Sequence, residues 1–352
     1  MTQKITTAVF PVAGMGTRFL PVTKAGPKEM LPIVDKPLIQ YVVEEAISAG
    51  ITELVFVTSG SKRAIEDYFD SNYELESRLE ERGKYDVLST VKNILPPNVK
   101  LVYVRQTHPR GLGDAVLCAK HVVRDRPFAV LLADDIIDGG ERSCMQDMVE
   151  AFDQTQSSIL AVEQIPNKDT DRYGIVSLEA DGSSGGHAKS SSPEVEGHAE
   201  SSPLEEARSH AKSSPPEEAR SHAKSSPLPL RERARVRGNN KQQPHFIKAI
   251  VEKPKPEVAP SNLAVTGRYI LTPRIFDLLE KTEKGVGGEI QLTDAISELL
   301  KEERITAFPF NGRRYDCGSR MGFLEATIDY ALKRPELADR LRRYLGGVVE
   351  AF

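Results

Sequence analysis

The strongest constraint on the fold is an alternation of two hydrophobic periods along the chain. Residues 5–13, ITTAVFPVA, read as a strand; 36–50, KPLIQYVVEEAISAG, as a helix closed by Gly50; and 53–60, ELVFVTSG, as the next strand. The order repeats with a strand in VKLVYVRQ (99–106), a helix in GDAVLCAKHVV (113–123) and a strand in PFAVLLADD (127–135). Strands that alternate with helices predict an α/β architecture built on a doubly wound, mostly parallel sheet. Ligands of such sheets collect beyond the carboxyl ends of the strands. The residues that follow AVFPVA and AVLLA are therefore the first to inspect.

The alternation breaks after RYGIVSLEADG (172–182). Residues 187–230 are near copies, HAKSSSPEVEG, HAESSPLEEARS, HAKSSPPEEARS and HAKSSPLPL, opened by His187, His198, His210 and His222 at spacings of 11, 12 and 12. The period is too short for a solenoid repeat, and the units hold almost no large apolar residues with which to offset chain entropy. Disorder is expected, with the histidines explained by copying rather than metal binding and the basic stretch RERARVRG (231–238) left solvated. Patterning resumes with strands in PHFIKAIVEKP (244–254) and NLAVTGRYIL (262–271). Helices in PRIFDLLEK and IQLTDAISELLKEE follow, then a strand in ITAFPF and two C-terminal helices. Removing the repeats would leave GIVSLEADG facing HFIKAIVEKP across a hairpin. The expected organisation is a first part at 1–182, an insert at 183–243 expanding a surface loop, and a second part at 244–352.

A net charge of -4 over 352 residues provides no basic field for nucleic acid, so an anionic ligand must be met by a local cluster, and small anions are expected. Cys118, Cys144 and Cys317 are odd in number and far apart, without metal spacing, which fits a reducing compartment. The longest apolar run, FAVLLA (128–133), is too short for a bilayer, and MTQKITTAVF lacks a signal-peptide core. A cytoplasmic protein with neither membrane nor nucleic-acid partners is expected.

The first suspect stretch is VAGMGTRFLPVTKAGPKEMLPI (12–33). A dinucleotide fingerprint would place a third glycine where Phe19 stands, and a P-loop would follow Gly16 with Lys and Ser/Thr rather than Thr17 and Arg18. What remains is a turn without side chains at Gly14 and Gly16, whose backbone can approach a nucleotide while Arg18 and Lys28 face its phosphates. Spacing alone also suits a loop that only turns.

In LLADDIIDG, Asp134 and Asp135 end an apolar strand and point to opposite faces, so one of them can enter the ligand crevice. A carboxylate beside a triphosphate suits Mg²⁺, and either residue also suits a helix N-cap. In RQTHPRGLGDAV, Gln106 carries the donor and acceptor needed at a base edge and Gly111 lets backbone come close, though a Gly-Leu-Gly turn also caps helices. In AIVEKPKPE, Glu252 can accept sugar hydroxyls beside a phosphate-facing Lys253, or both can be solvated.

Together these stretches resemble the bacterial UTP-glucose-1-phosphate uridylyltransferases, within the sugar nucleotidyltransferase superfamily. The likeness rests on AGMGTRFLPVTKAGPKEMLPIVDKPLIQYVVEEA, RQTHPRGLGDAV, RYGIV, IVEKPKPEVAPSNLAVTGRYIL, GGEIQLTDAI and YDCGSRMGFLEATIDYAL, nearly all the chain outside the repeats. It implies a Rossmann-like nucleotidyltransferase fold with a central mixed, mostly parallel sheet flanked by helices. It also implies transfer of a uridylyl group from UTP to glucose 1-phosphate with Mg²⁺ as cofactor, in a homo-oligomer, dimer or tetramer.

By the same resemblance Ala13, Gly14, Gly16, Glu29, Gln106 and Gly111 bind the nucleotide. Arg18, Lys28 and Lys253 are the catalytic cations; Gly174, Glu252 and Lys253 hold the sugar phosphate; Asp134 and Asp316 hold the metal. Two departures stand out: Asp114 replaces the His common in Gly-Leu-Gly-His-Ala, and the repeats fall between Gly174 and Glu252. Related readings are a thymidylyltransferase or other sugar-1-phosphate nucleotidyltransferase, and a non-catalytic regulatory paralogue whose insert recruits a partner.

Overall fold

The structure, a computed structural model, describes residues 2–179 and 245–351. They belong to one compact unit built from both sides of the repeat segment. The expected disorder at 183–243, the four histidines at 187, 198, 210 and 222, and the basic stretch lie outside the described residues.

The strands, in chain order, are β1 (Thr7–Pro11), β2 (Pro32–Ile33), β3 (Lys36–Pro37), β4 (Glu53–Thr58), β5 (Lys100–Arg105), β6 (Phe128–Leu131), β7 (Asp135–Asp138), β8 (Ile159–Gln164), β9 (Gly174–Leu178), β10 (His245–Glu252), β11 (Leu263–Leu271), β12 (Thr306–Pro309) and β13 (Arg313–Asp316). Nine form one mixed sheet in the order β5-β4-β1-β6-β11-β8-β12-β10-β9, and β9 pairs also with β11. The β5, β4, β1 and β6 neighbours are parallel, as the strand–helix alternation requires, and so are β8 and β12. The remaining joins are antiparallel.

Both faces of the sheet are covered, which explains why β1 reads as a continuous apolar run. Ala8 and Phe10 face one core with Phe56 and Leu131, where helix Leu38–Ser48 packs through Ile39, Val42, Val43 and Ala46 and helix Cys144–Thr155 through Met145, Met148 and Phe152. Val9 faces the other core with Val55 and Val130, closed by Val116, Phe276, Leu292 and Ile296 of three further helices. Residues adjacent in a strand thus anchor opposite layers.

Three details refine the sequence reading. Strand β6 ends at Leu131, so Asp134 lies in a turn and Asp135 begins β7; the two carboxylates diverge through that turn rather than through strand alternation. Strand β7 pairs with β13 in a small antiparallel ribbon that sets Asp135 opposite Asp316. The helix read over 113–123 is two, Leu112–Cys118 and Lys120–Val123.

The hairpin across the repeats is present. Gly174 pairs with Glu252 at one end of β9–β10 and Leu178 with Ile247 at the other, and Glu179 N donates to Phe246 O at 2.9 Å. Gly174 and Glu252, the pair expected to hold the sugar phosphate, therefore sit at the hairpin end remote from residues 179 and 245.

Candidate active site

The loop after β1 folds back through three short 3-10 turns, at 17–19, 22–24 and 28–30. Gly16 allows this: its φ is 66°, and a Cβ there would lie 3.2 Å from Lys28 Cβ and 3.3 Å from Thr23 Cγ2. Thr23 Oγ1 pins the turn by donating to Gly16 O at 2.8 Å. At Gly14 a Cβ would meet nothing, so the backbone is open to a ligand there, while the neighbouring Ala13 is buried. Arg320 Nε donates to Arg18 O at 3.2 Å, tying the loop to helix Arg320–Leu332 and leaving the Arg18 side chain exposed.

Lys28 reaches across to the turn after β6, where Nζ lies 2.5 Å from Asp134 Oδ2. Burial works against the Lys28 ammonium, but Asp134, with Glu29 adding, outweighs it and raises its pKa. Burial likewise opposes the Asp134 carboxylate, and Lys28 more than offsets it, holding Asp134 below the usual carboxylate range. Glu29, nearly inaccessible, accepts from Lys62 Nζ at 2.7 Å; burial still pushes its pKa up.

Asp316 joins the same cluster through the β7–β13 ribbon. Arg172 Nη2 donates to its Oδ2 at 2.8 Å and Gly318 N to its Oδ1 at 3.1 Å. A Cβ on Gly318 would lie 2.9 Å from Asp134 Oδ2, 3.0 Å from Asp316 Oδ1 and 3.5 Å from Arg18 Nη1. Two carboxylate oxygens and a guanidinium thus converge on one small space that glycine keeps clear. The donor set fits a hard divalent cation of the Mg²⁺ kind, which takes one or two protein carboxylates and leaves its other positions to water and phosphate oxygens. Among the described residues no cluster of three or more His, Cys, Asp or Glu side chains could serve as a closed metal cage.

The turn is braced from beneath. Arg268, fully buried, donates to Glu45 Oε2 from Nε at 3.0 Å and Nη2 at 2.6 Å, to Leu132 O at 3.2 Å and to Asp135 O at 2.8 Å. Asp135 turns inward, accepting from Gly267 N at 3.0 Å.

At the end of β5, Gln106 N donates to Thr58 O, and Gln106 Nε2 donates to Gly111 O at 3.2 Å and to Asp114 Oδ2 at 2.7 Å. Gly111 has a φ of 108°, and a Cβ there would stand 2.7 Å from both Glu289 Cβ and Ile290 O. Only glycine fits, because the 288–291 segment clamps this loop through Ile290 N to Arg110 O (2.7 Å) and Gly113 N to Ile290 O (2.9 Å).

Gly174 and Glu252, expected from the sequence to hold the sugar phosphate, face each other across β9–β10. Glu252 Oε2 accepts from Thr293 Oγ1 at 2.7 Å, and Glu252 Oε1 lies 3.1 Å from Lys253 Nζ. Lys253 has a φ of 45°, rare for a side-chain-bearing residue, and its N–H donates to Tyr173 O at 3.0 Å. Arg172, Tyr173 and Gly174 are consecutive, so one short segment links the Asp316 cluster to the Glu252 cluster.

The structure therefore brings Arg18, Asp134 and Asp316 around Gly318, sets Lys28 on Asp134, pairs Gln106 with Gly111, and joins Gly174, Glu252 and Lys253. Sequence reasoning missed Gly318, Arg172, Thr293 and Lys62. Gly318 and Thr293 lie inside YDCGS and GGEIQLTDAI, so the signal was present without a role attached.

The profile described as nucleotidyl transferase matches residues 8–191 and 236–333. The UTP–glucose-1-phosphate uridylyltransferase of Streptococcus pneumoniae serotype 4 is 42% identical over 348 residues, covering 98% of this chain and 96% of its own length. That of Bacillus subtilis (strain 168) is 41% identical over 347 residues, with 99% and 98% covered. Among solved structures, a UTP-bound UGPase from Acinetobacter baumannii superimposes with a TM-score of 0.75 at 37% identity, covering 97% of this chain and 98% of that one. A UDP-glucose pyrophosphorylase complexed with UDP-glucose gives 0.71 at 38%, covering 94% and 100%.

Proposed function

This chain belongs to the nucleotidyl transferase family, and from that premise we propose that it converts UTP and α-D-glucose 1-phosphate to UDP-glucose and diphosphate. The observation that carries the reading is the near-full-length likeness to uridylyltransferases at about 40% identity. The convergence of Arg18, Asp134 and Asp316 on the space above Gly318, with Lys28 on Asp134, supports it.

The chemistry asks little covalent work of the protein. A sugar-phosphate oxygen, already ionised at neutral pH, attacks the α-phosphorus of UTP in line, forming one P–O bond as the bond to the diphosphate breaks. No general base is required, so catalysis is positioning and charge neutralisation. Gly14 and Gly16 let the backbone approach the nucleotide, and Gln106 and Gly111 face the base. Arg18 and Lys28 take the triphosphate charge. Glu252 and Gly174 hold the glucose hydroxyls, with Thr293 fixing the Glu252 carboxylate, and Lys253 holds the sugar phosphate. Glu29 acts at the nucleotide side through its charge beside Lys28, and Ala13 through its backbone.

Members of this family typically use a divalent metal; we assign Mg²⁺, held by Asp134 and Asp316. When bound it would neutralise charge on the phosphate oxygens.

The same reading extends to organisation. Residues 1–182 and 244–352 form the catalytic unit, with 183–243 an insert that catalysis does not need; the paired ends at Leu178 and Ile247 support this. Deleting 183–243 is expected to leave kcat and KM within about twofold, and a large rise in the glucose 1-phosphate KM would sink the assignment. No helix among the described residues is long and apolar enough to cross a membrane. We place the protein in the cytoplasm, consistent with three free cysteines, as a dimer or tetramer, which light scattering after size exclusion would test.

Diphosphate release measured with a panel of nucleoside triphosphates and sugar 1-phosphates, with and without Mg²⁺, tests the activity. Preference for UTP with glucose 1-phosphate is expected; preference for dTTP would assign it to thymidylyl transfer instead.

A further inference from the structure

The chemistry above makes no use of Asp114, a carboxylate only 2% exposed. Its effect falls on Gln106. Both amide hydrogens of Gln106 Nε2 are spent, one on Asp114 Oδ2 at 2.7 Å and one on Gly111 O at 3.2 Å, while Oε1 has no partner among the described residues. A primary amide can turn by half a revolution and exchange its donor and acceptor ends, and which end points where is set by its surroundings. Turned round, Gln106 would press Oε1 against a carboxylate and a carbonyl, with no proton between the three oxygens. That orientation is closed, and the charge at 114 does most to close it. Asp114 is itself fixed, because Arg110 donates to its Oδ1 from Nε at 3.0 Å and Nη2 at 2.7 Å.

We propose that Asp114 is a positioning residue for nucleobase choice, locking Gln106 so that its acceptor, Oε1, is the atom left for the base. The inference rests on the reading that Gln106 faces the base. An acceptor in that place selects a ring edge that donates. Uracil carries a hydrogen on N3, whereas cytosine has a lone pair there; facing Oε1, it sets acceptor against acceptor and leaves both unmet in a desolvated site. Asp114 touches no substrate. It acts through the amide it holds.

The test compares kcat/KM for UTP and CTP, with glucose 1-phosphate and Mg²⁺, in the full-length wild type, Asp114→Asn and Gln106→Met. An amide at 114 donates as well as accepts, so Gln106 becomes free to turn. The UTP:CTP ratio of kcat/KM is then expected to fall by about tenfold or more, mostly through a lower KM for CTP. The ratio is internal to each sample, so a partly folded preparation does not distort it. Should Asp114→Asn fail to accumulate, Asp114→Ser makes the same test, since a hydroxyl also donates and accepts. If Asp114 only supported the fold, both substrates would suffer alike and the ratio would hold. An unchanged ratio in Asp114→Asn beside a collapsed one in Gln106→Met overturns the role of Asp114 alone. An unchanged ratio in both overturns the assignment of Gln106 to the base.

Discussion

Lys28 Nζ and Asp134 Oδ2 stand 2.5 Å apart, although the two residues are separated by 106 positions and lie in the loops that follow β1 and β6. One is the cation assigned to phosphate, the other the carboxylate assigned to metal, and each serves as the other's counter-charge. On that assignment, substrate and metal entering together would let both groups exchange partners with no charge left bare, which fits a site that must gather two anionic substrates.

Asp134→Asn keeps the shape of that contact and removes its charge. Metal-dependent turnover is expected to fall by at least about a hundredfold, with the circular-dichroism spectrum of the folded variant close to wild type. Diphosphate release at saturating UTP, glucose 1-phosphate and Mg²⁺ is the measurement. A near-wild-type rate would remove Asp134 from the metal site.

Gly318→Ala tests the cleared space directly. The added methyl would meet Asp134 Oδ2 at 2.9 Å and Asp316 Oδ1 at 3.0 Å. Since the position needs no positive φ, the backbone should accept alanine. A rise of about tenfold in the Mg²⁺ concentration for half-maximal rate is expected, with little change in unfolding free energy. Normal Mg²⁺ dependence would mean that the cation sits elsewhere.

Glu45→Ala strands the Arg268 guanidinium in a dry interior. Removing one partner of a buried pair costs about 3–5 kcal/mol, and here Arg268 also holds the carbonyls on either side of Asp134. Urea unfolding should show a loss of that size, accompanied by reduced turnover at temperatures where the variant remains folded. A loss below about 1 kcal/mol would show that the pair braces nothing.

Glu53 supplies an acid-side prediction far from the chemistry. Burial opposes its carboxylate, but Thr7 Oγ1 and Arg126 Nη2, each at 2.7 Å, outweigh it and hold its folded pKa below the ordinary 4.5. The unfolded chain therefore takes up a proton first, so the contribution is complete at neutral pH and is lost as pH falls below that value. Glu53→Gln should lose less stability between pH 7 and pH 3 than wild type, read as the shift in urea midpoint. Equal losses would show that Glu53 takes no part in the acid limb.

Much of this arrangement was legible because its signals are local. Arg18 and Lys28 share one loop, and strand–helix alternation announced the parallel half of the sheet. Resemblance supplied Asp316 and the sugar-side trio. Gly318 gained its meaning only when β7 and β13 met across about 180 residues, and Arg268 only when it reached Glu45 across 223. Four-residue strands leave no period to detect, and a buried arginine in TGRYIL reads as a surface charge until its partner is in place. Asp114 was visible as a departure, yet whether it disturbed or organised the nucleotide side depended on Gln106 and Arg110 standing within reach.

The β9–β10 hairpin carries one more consequence. Its outer end is held by ladder bonds up to Glu179 and Phe246, while Gly174 and Glu252, which we assign to the sugar phosphate, stand at the inner end. Chain joining the outer ends closes a loop whose entropy grows only logarithmically, roughly 0.6 kcal/mol per doubling. On the proposed assignment, residue number at that junction is decoupled from catalysis. It would then form a natural port, where a reporter or binding module with neighbouring termini could ride on the enzyme without entering the geometry that moves the uridylyl group.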